Sequence, residues 1–450
     1  MCAVVGVYGN ENASRIASAA LFAMQHRGHE ATGISSGGHD KKIFTHKQMG
    51  YVRDVYTEEA FDYLKGDMAI GHNRYSTAGS DSVHDAQPIQ AGYKLGEISI
   101  VHNGNLVNKN EVRKELINEG SIFQTDMDTE NLIHLIAKSS QDRLRDRITE
   151  GLQKLIGAYN FMILSRSKLF VVRDKHGIRP LSLGKLKSGG WIVASETCAF
   201  DLVEAEFVRD VKPGEMLIFA DGFNEPESIQ LFEGEQYRPC AFEYIYFARP
   251  DSVIDGKSVY KTRENMGKAL AKNDLGLNIK ADMVVPVPDS GVPAALGYAQ
   301  GSGIPYELGI IRNHYVGRTF IEPTQEMRNL KVKMKLNPMR ALIKGKSLVV
   351  IDDSIVRGTT SKRIVQMLKE AGAKEVHFRV ASPMIQHPCF YGIDTPNKDE
   401  LINATMTKDE VQAYIGADSL EYLTIDNLRD SLGRDRNYSL VSFDGDYFIV

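Results

Sequence analysis

Residues 348–372 read LVVIDDSIVRGTTSKRIVQMLKEAG. Four apolar residues in succession, Leu348 to Ile351, have the pattern of a strand buried on both faces, as in a parallel sheet. Asp352 and Asp353 stand at its carboxyl end. A polar loop containing Gly358 follows, then a helical period from near Ser361 to a stop at Gly372. Strand, loop and helix in that order gather backbone amides and a helix amino terminus into an anion site, which Gly358 lets a ligand approach closely. Thr359, Thr360 and Ser361 add hydroxyl donors. Two adjacent acids would repel a phosphate there unless they hold a sugar's hydroxyls or a hard cation such as Mg2+.

Two plainer readings compete. Asp353 or a threonine can simply cap the helix. An apolar strand ending in two acids also suits a nucleoside triphosphatase, but that chemistry needs a glycine-rich phosphate loop elsewhere. The fragment KGKS at 344–347 has Arg340 where the first glycine belongs and precedes a strand instead of following one.

Outward from this stretch, ADMVVPVP (281–288) and EVHFRVASP (375–383) read as strands and VPAALGYAQGSG (292–303) as a helix. Alternation of this kind predicts βαβ units and a parallel sheet with its ligands beyond the strands' carboxyl ends. Up to about residue 230 the rhythm differs. AVVGVYG (3–9), MAIGHNRYS (68–76), ISIVHNG (98–104), GGWIVASE (189–196) and GEMLIFADG (214–222) are short strands. GAYNFMILSRSKLFVVRD (157–174) reads as two strands about a tight turn between Ser165 and Ser167. Closely spaced strands predict antiparallel sheet, with a helix over SRIASAALFAMQHRG (14–28) packed on it. The boundary is expected near residue 235, giving domains 2–235 and 236–450, with Pro239 in the connection.

The 450 residues are 42% hydrophobic and 25% charged, with formal net charge −4. That balance disfavours a nucleic-acid reader or an anionic-membrane binder. No apolar stretch approaches ~18 residues and no basic-then-apolar leader is apparent, so a cytoplasmic enzyme is the expectation. Cys2, Cys198, Cys240 and Cys389 are too dispersed for a disulfide framework or zinc knuckle. Cys198 is expected to be a small buried hydrophobe.

Cys2 is different. Removal of Met1 would leave a thiol and a free α-amine on one residue. An α-amine titrates near ~8, so it can take the thiol's proton directly or through water.

Several strings carry family resemblances. VVIDDSIVRGTTS resembles the phosphoribosyl pyrophosphate (PRPP) signature of type I phosphoribosyltransferases. That resemblance implies PRPP contacts from Asp352, Asp353, Ser354, Arg357, Gly358, Thr359 and Thr360. It also makes Asp289, Ser290 and Gly291 a pyrophosphate loop, and Ser290, Asp352 and Asp353 the side of the site that meets Mg2+. The basic segment after Ile311 resembles the family's closing loop, so Arg318, Lys331 and Lys333 are expected to meet the diphosphate. His314 stands where the family has arginine. QHRGHEATGI (25–34), GHNRYSTAG (71–79), VHNGNL (101–106) and TDMDTE (125–130), together with Cys2, resemble glutamine amidotransferases of the amino-terminal-nucleophile type. Singly, Arg74 and Asp128 read as surface charge and HNGN as a hairpin turn. The resemblance implies that Arg74 pairs with the glutamine α-carboxylate, Asp128 with its α-ammonium, and that Asn103 and Gly104 form the oxyanion hole. Arg27 supports the Cys2 end. Ala3 and His29 depart from the common glycine and glutamine.

With RDKHGIRPLSLG (173–184), ASETCAFD (194–201) and FEYIYFARPDS (242–252), the order of the two modules resembles the amidophosphoribosyltransferase family, weakening after about residue 425. The implied fold is an αββα sandwich of the amino-terminal-nucleophile (Ntn) hydrolase type, followed by an α/β parallel-sheet phosphoribosyltransferase domain. The implied reaction turns glutamine, PRPP and water into 5-phosphoribosylamine, glutamate and pyrophosphate, the first committed step of purine synthesis. Purine nucleotide inhibitors and a homodimer or homotetramer come with the resemblance. Some members carry an iron–sulfur cluster; here Cys240 and Cys389 match two ligand positions, but Ser439 and Ser442 stand at the others, so no cluster is expected. Glucosamine-phosphate-forming enzymes would share only the first half. The non-enzymatic alternative is a PRPP-binding regulator with a silenced glutaminase; purine-operon repressors resemble phosphoribosyltransferases but carry a DNA-binding domain and a basic surface, and here Cys2, Arg74, Asn103, Gly104 and Asp128 are all present, which favours catalysis.

Overall fold

The computed structural model describes residues 2–38, 42–75, 82–221, 224–232, 234, 236–277, 279–313, 336–395 and 397–449. Arg318, Lys331, Lys333 and His314 lie outside them.

The strand Ala3–Tyr8 organises the first half. Its alternation feeds two cores at once: Ala3, Val5 and Val7 pack with Ala17 and Leu21 of the helix Ala13–Ala23, while Val4 joins Ile70, Met162, Val171 and Leu217 on the other face. Burial on both faces is why the strand is an almost unbroken apolar run. It pairs antiparallel with Met68–Arg74 and Trp191–Ala194 inside a seven-stranded sheet. A second, six-stranded sheet is centred on Gly157–Ser165, paired antiparallel with Gly96–Leu106 and Lys168–Arg173. Its outer face is covered by the helices Lys109–Asn118, Thr129–Lys138 and Leu144–Gln153 through Val112, Leu132, Ile136 and Ile148. The layers are therefore α, β, β, α, as expected.

In the second half, the strands Met283–Pro286, Ser347–Asp352, Glu375–Val380 and Ser419–Tyr422 form a parallel sheet in that order. The helices Val259–Asp274 and Val292–Ser302 pack on one face and Thr359–Glu370 on the other. This is the expected α/β unit. The helix after the acid pair begins at Thr359, two residues before the sequence-based start. Gly358 turns the chain in the left-handed region (φ +70°) and Thr359 enters the first turn directly.

Candidate active sites

Cys2 sits at the mouth of the first strand, half-buried. Its main-chain nitrogen donates to Asn103 Oδ1 at 3.3 Å, its thiol to the Tyr75 carbonyl at 3.8 Å, and Arg27 Nε donates to its carbonyl at 3.0 Å. Three segments distant in sequence thus converge on one residue. Asn103, on the strand Gly96–Leu106, is fully buried, and its Nδ2 has no partner among the described residues. An unused buried donor costs about 1–3 kcal/mol, so it points to a missing acceptor. Gly104 follows it at φ +154°, where an added Cβ would lie 2.0 Å from the Ala158 carbonyl oxygen. Only glycine fits.

Arg74 ends the strand Met68–Arg74 with 1% exposure, and its Nη1 donates to the Ser82 carbonyl at 3.4 Å. Asp128 precedes the helix Thr129–Lys138; its Oδ1 lies 3.2 Å from His102 Nδ1, and its Oδ2 accepts from Leu106 N–H at 2.9 Å. Burial pushes the Asp128 carboxyl upward, but the His102 ring and the Leu106 amide outweigh it and hold the group below the usual carboxylate range. The surface-charge readings of Arg74 and Asp128 therefore fail. His102 itself was not visible as a partner of Asp128 in sequence, since 26 residues separate them. Cys198 is buried and its thiol is pushed far up by burial and by Glu196, the behaviour of an inert core thiol.

The second site gathers at the carboxyl ends of two neighbouring strands. Asp352 is the last residue of Ser347–Asp352 and Asp353 the next; both are buried. Burial and then the adjacent Asp353 raise the Asp352 carboxyl well above its ordinary range. Ser354 Oγ donates to Asp353 Oδ2 at 2.6 Å. The loop with Asp289 and Ser290 reaches the same place because Val287 N–H donates to the Ile351 carbonyl at 2.8 Å. A Cβ on Gly291 would come within 2.4 Å of that carbonyl oxygen. Asp289 is ion-paired with Arg312, and Arg357 with Glu400 at 2.9 Å. Thr359 and Thr360 are exposed at the start of their helix. The donor set is all oxygen, which suits a hard cation completed by substrate oxygens.

Cys240 and Cys389 are buried, and Cys240 bridges in parallel to Ser439. Burial, partly offset by Arg179, pushes the Cys240 thiol up to about 11. Ser439 and Ser442 are also buried. Two thiols and two hydroxyls do not match four-thiolate ligation.

The rim of the first site meets the second half directly: Asn105 Nδ2 donates to the Phe390 carbonyl at 2.8 Å, and Gly392 packs on Gly104 so closely that a Cβ there would lie 3.2 Å from the Gly104 Cα.

An αββα sandwich leading into a parallel sheet with this acid pair is the architecture of a glutamine amidotransferase joined to a phosphoribosyltransferase. Residues 72–201 match the glutamine amidotransferase domain family and residues 257–383 the phosphoribosyl transferase domain family. The chain belongs to the amidophosphoribosyltransferase family. It is 48% identical over 448 residues to amidophosphoribosyltransferase 2, chloroplastic, of Arabidopsis thaliana, covering 99% of this chain and 79% of that one. It is 46% identical over 452 residues to the Bacillus subtilis amidophosphoribosyltransferase, covering 99% and 94%. The solved B. subtilis glutamine PRPP amidotransferase, complexed with ADP and GMP, superposes with a TM-score of 0.93 at 45% identity, over 100% of this chain and 98% of that one.

Proposed function

We propose that Cys2, its α-amine freed by loss of Met1, is the nucleophile that takes nitrogen from glutamine. The α-amine accepts the thiol proton and the sulfur adds to the side-chain amide carbonyl. Asn103 Nδ2 and the Gly104 amide donate to the resulting oxyanion. Collapse, with the Cys2 α-ammonium returning its proton to the leaving nitrogen, expels ammonia and leaves a thioester, which water opens to glutamate and the free thiol. Arg74 takes the glutamine α-carboxylate as a fork and Asp128, kept ionised, takes the α-ammonium. Arg27 holds Cys2 in place through its carbonyl.

As a member of its family, the chain converts glutamine, PRPP and water into 5-phosphoribosylamine, glutamate and pyrophosphate in purine biosynthesis. In the proposed second site, Asp352 and Asp353 hold the ribose hydroxyls. Ser354, Arg357, Gly358, Thr359 and Thr360 hold the 5-phosphate, and Asp289 and Ser290 flank the pyrophosphate. Mg2+, held by Asp352, Asp353 and Ser290 with substrate oxygens, would neutralise the leaving pyrophosphate. Arg318, Lys331 and Lys333 are assigned to the diphosphate from the closing loop. Ammonia then displaces pyrophosphate at the ribose C1. We divide the chain near residue 235. The same reading has no iron–sulfur cluster, homo-oligomeric assembly, inhibition by purine nucleotides, and a cytoplasmic site of action. ADP and GMP in the B. subtilis relative support the nucleotide part. No helix among the described residues is long and apolar enough to cross a membrane.

The observation that carries this reading is Asn103, whose Oδ1 accepts from the Cys2 nitrogen while its buried Nδ2 has no partner among the described residues. Cys2→Ala is expected to abolish synthesis from glutamine and to leave synthesis from ammonia. Asp352→Asn should impair both. Glutamine-dependent synthesis by Cys2→Ala, or unimpaired synthesis by Asp352→Asn, overturns the corresponding assignment.

A further inference from the structure

Three strings that the reaction leaves without a role, RDKHGIRPLSLG, ASETCAFD and FEYIYFARPDS, each send a charged side chain to one buried point. Arg27 Nη1 and Nη2 donate to the two oxygens of Glu243, each at 2.9 Å, a bidentate fork. Arg27 Nη1 also meets Glu196 Oε1. Arg179 Nη1 donates to Glu243 Oε1 at 3.1 Å, and its Nε and Nη2 donate to the Tyr391 carbonyl at 3.0 and 2.7 Å. Glu196 Oε2 accepts from Arg249 N–H at 2.9 Å and from Ser252 Oγ at 2.7 Å. The four side chains Arg27, Arg179, Glu196 and Glu243 are no more than 1% exposed. Their charges balance, two against two.

Burying such a cluster adds little net stability over an apolar replacement, because desolvation consumes most of the Coulomb gain. What it does fix is geometry. Arg27 has spent both terminal nitrogens on carboxylates, so its Nε is aimed, and that Nε is the donor on the Cys2 carbonyl. Glu243, 216 residues away in the second half, sets the aim. Its own element is stiff. Glu243 opens a single π-helical turn, Glu243–Phe247; the carbonyls of Tyr244 within it and of Ala248 just after it accept from Arg263 Nε and Nη2 at 2.7 and 2.8 Å. Single π turns recur where a fold serves a functional site.

From this geometry we infer that Glu243 is a positioning residue for glutamine hydrolysis, holding Cys2 in its attacking place through the Arg27 fork. The nucleophile of the first half is therefore held by a carboxylate of the second. The inference rests on the assignment of Cys2 as nucleophile. It gives Glu243 no contact with glutamine or PRPP.

The test uses the full chain and three readouts: synthesis from glutamine, synthesis from ammonia, and the rate at which 6-diazo-5-oxo-L-norleucine, an electrophilic glutamine analogue, alkylates Cys2. Displacing a reacting group by ~1 Å can cost up to about 10²-fold. Glu243→Gln keeps the shape but gives up one acceptor. It should lower kcat with glutamine and the alkylation rate by about 10- to 100-fold. The glutamine KM and ammonia-dependent synthesis should stay within about twofold. Glu243→Asp keeps the charge, and with it the buried balance, but shortens the reach; it should show the same pattern at a smaller amplitude. That variant decides the matter where Glu243→Gln does not fold. A parallel fall in glutamine and ammonia activities would mean a structural role only and overturn the inference, as would no change in any readout. Wild-type protein that the analogue leaves unmodified at Cys2 while ammonia-dependent synthesis proceeds would overturn the nucleophile assignment itself.

Discussion

Asn103 accepts from the Cys2 nitrogen through one end of its amide and, as we propose, serves the oxyanion through the other. Asn103→Ala removes the acceptor for the Cys2 nitrogen and the donor we assign to the oxyanion. Losing one such donor typically costs about 10²–10³ in rate. Glutamine-dependent synthesis should fall by that factor while ammonia-dependent synthesis persists, as steady-state assays with each nitrogen source would read. His72, two residues before Arg74, makes a second prediction. Burial, then His102 and Arg74, hold its imidazole down to about 3. The unfolded chain protonates it near ~6.5. Between those values the unfolded state binds a proton that the folded state refuses, so stability rises with pH across that window and is flat above it. The slope is up to about 1.4 kcal/mol per pH unit. His72→Gln should therefore shrink the gap between urea midpoints at pH 5 and pH 7.5; an unchanged gap would show that His72 is not the group responsible. Motif strings singled out Cys2, Arg74, Asn103, Gly104 and Asp128 in the sequence. Glu196 and Glu243 were not legible there, because a buried glutamate and a surface glutamate read alike until partners 169 and 216 residues away are brought to them.

At the scale of elements, strands that alternate or run apolar were readable, and Ala3–Tyr8 and Ser347–Asp352 fell where their patterns put them. Ala31–Gly37 did not announce itself. Its sequence, ATGISSG, is half polar, yet every residue is buried. Hydroxyl pairs account for part of this: Ser35 meets Thr45 at 2.6 Å and Ser99 at 2.7 Å, and Thr32 lies 3.4 Å from the Tyr56 hydroxyl, whereas Ser36 Oγ has no partner among the described residues. The tripeptide Asp289–Ser290–Gly291 is an ordinary turn by composition, and its importance comes from Gly291 lying against the end of the neighbouring strand. A methyl there meets backbone, the Ile351 carbonyl at 2.4 Å, and backbone cannot swing aside. Gly291→Ala should shift the Asp289–Ser290 loop off the acid pair. We expect a raised KM for PRPP and a loss of about tenfold or more in synthesis from either nitrogen source. Alkylation of Cys2 by the glutamine analogue should be unchanged. A PRPP KM equal to wild type would refute that placement.

For the whole molecule, what matters is that two chemistries share one chain. Ammonia set free in water protonates and loses its nucleophilicity, so nitrogen taken from glutamine, at Cys2 as we propose, is useful only if PRPP is waiting. The boundary where Asn105 meets Phe390 and Gly392 lies on Gly104 joins the rim of one site to the second half directly. Glutamine, on the function proposed, is opened for the benefit of the phosphoribosyl site. The most direct test of that coupling counts glutamate and pyrophosphate in the same sample, with and without PRPP and Mg2+. Glutamate release from glutamine alone should be slow, should accelerate when PRPP and Mg2+ are added, and should then match pyrophosphate one for one. Glutamate release that ignores PRPP, or runs well ahead of pyrophosphate, would contradict the coupling.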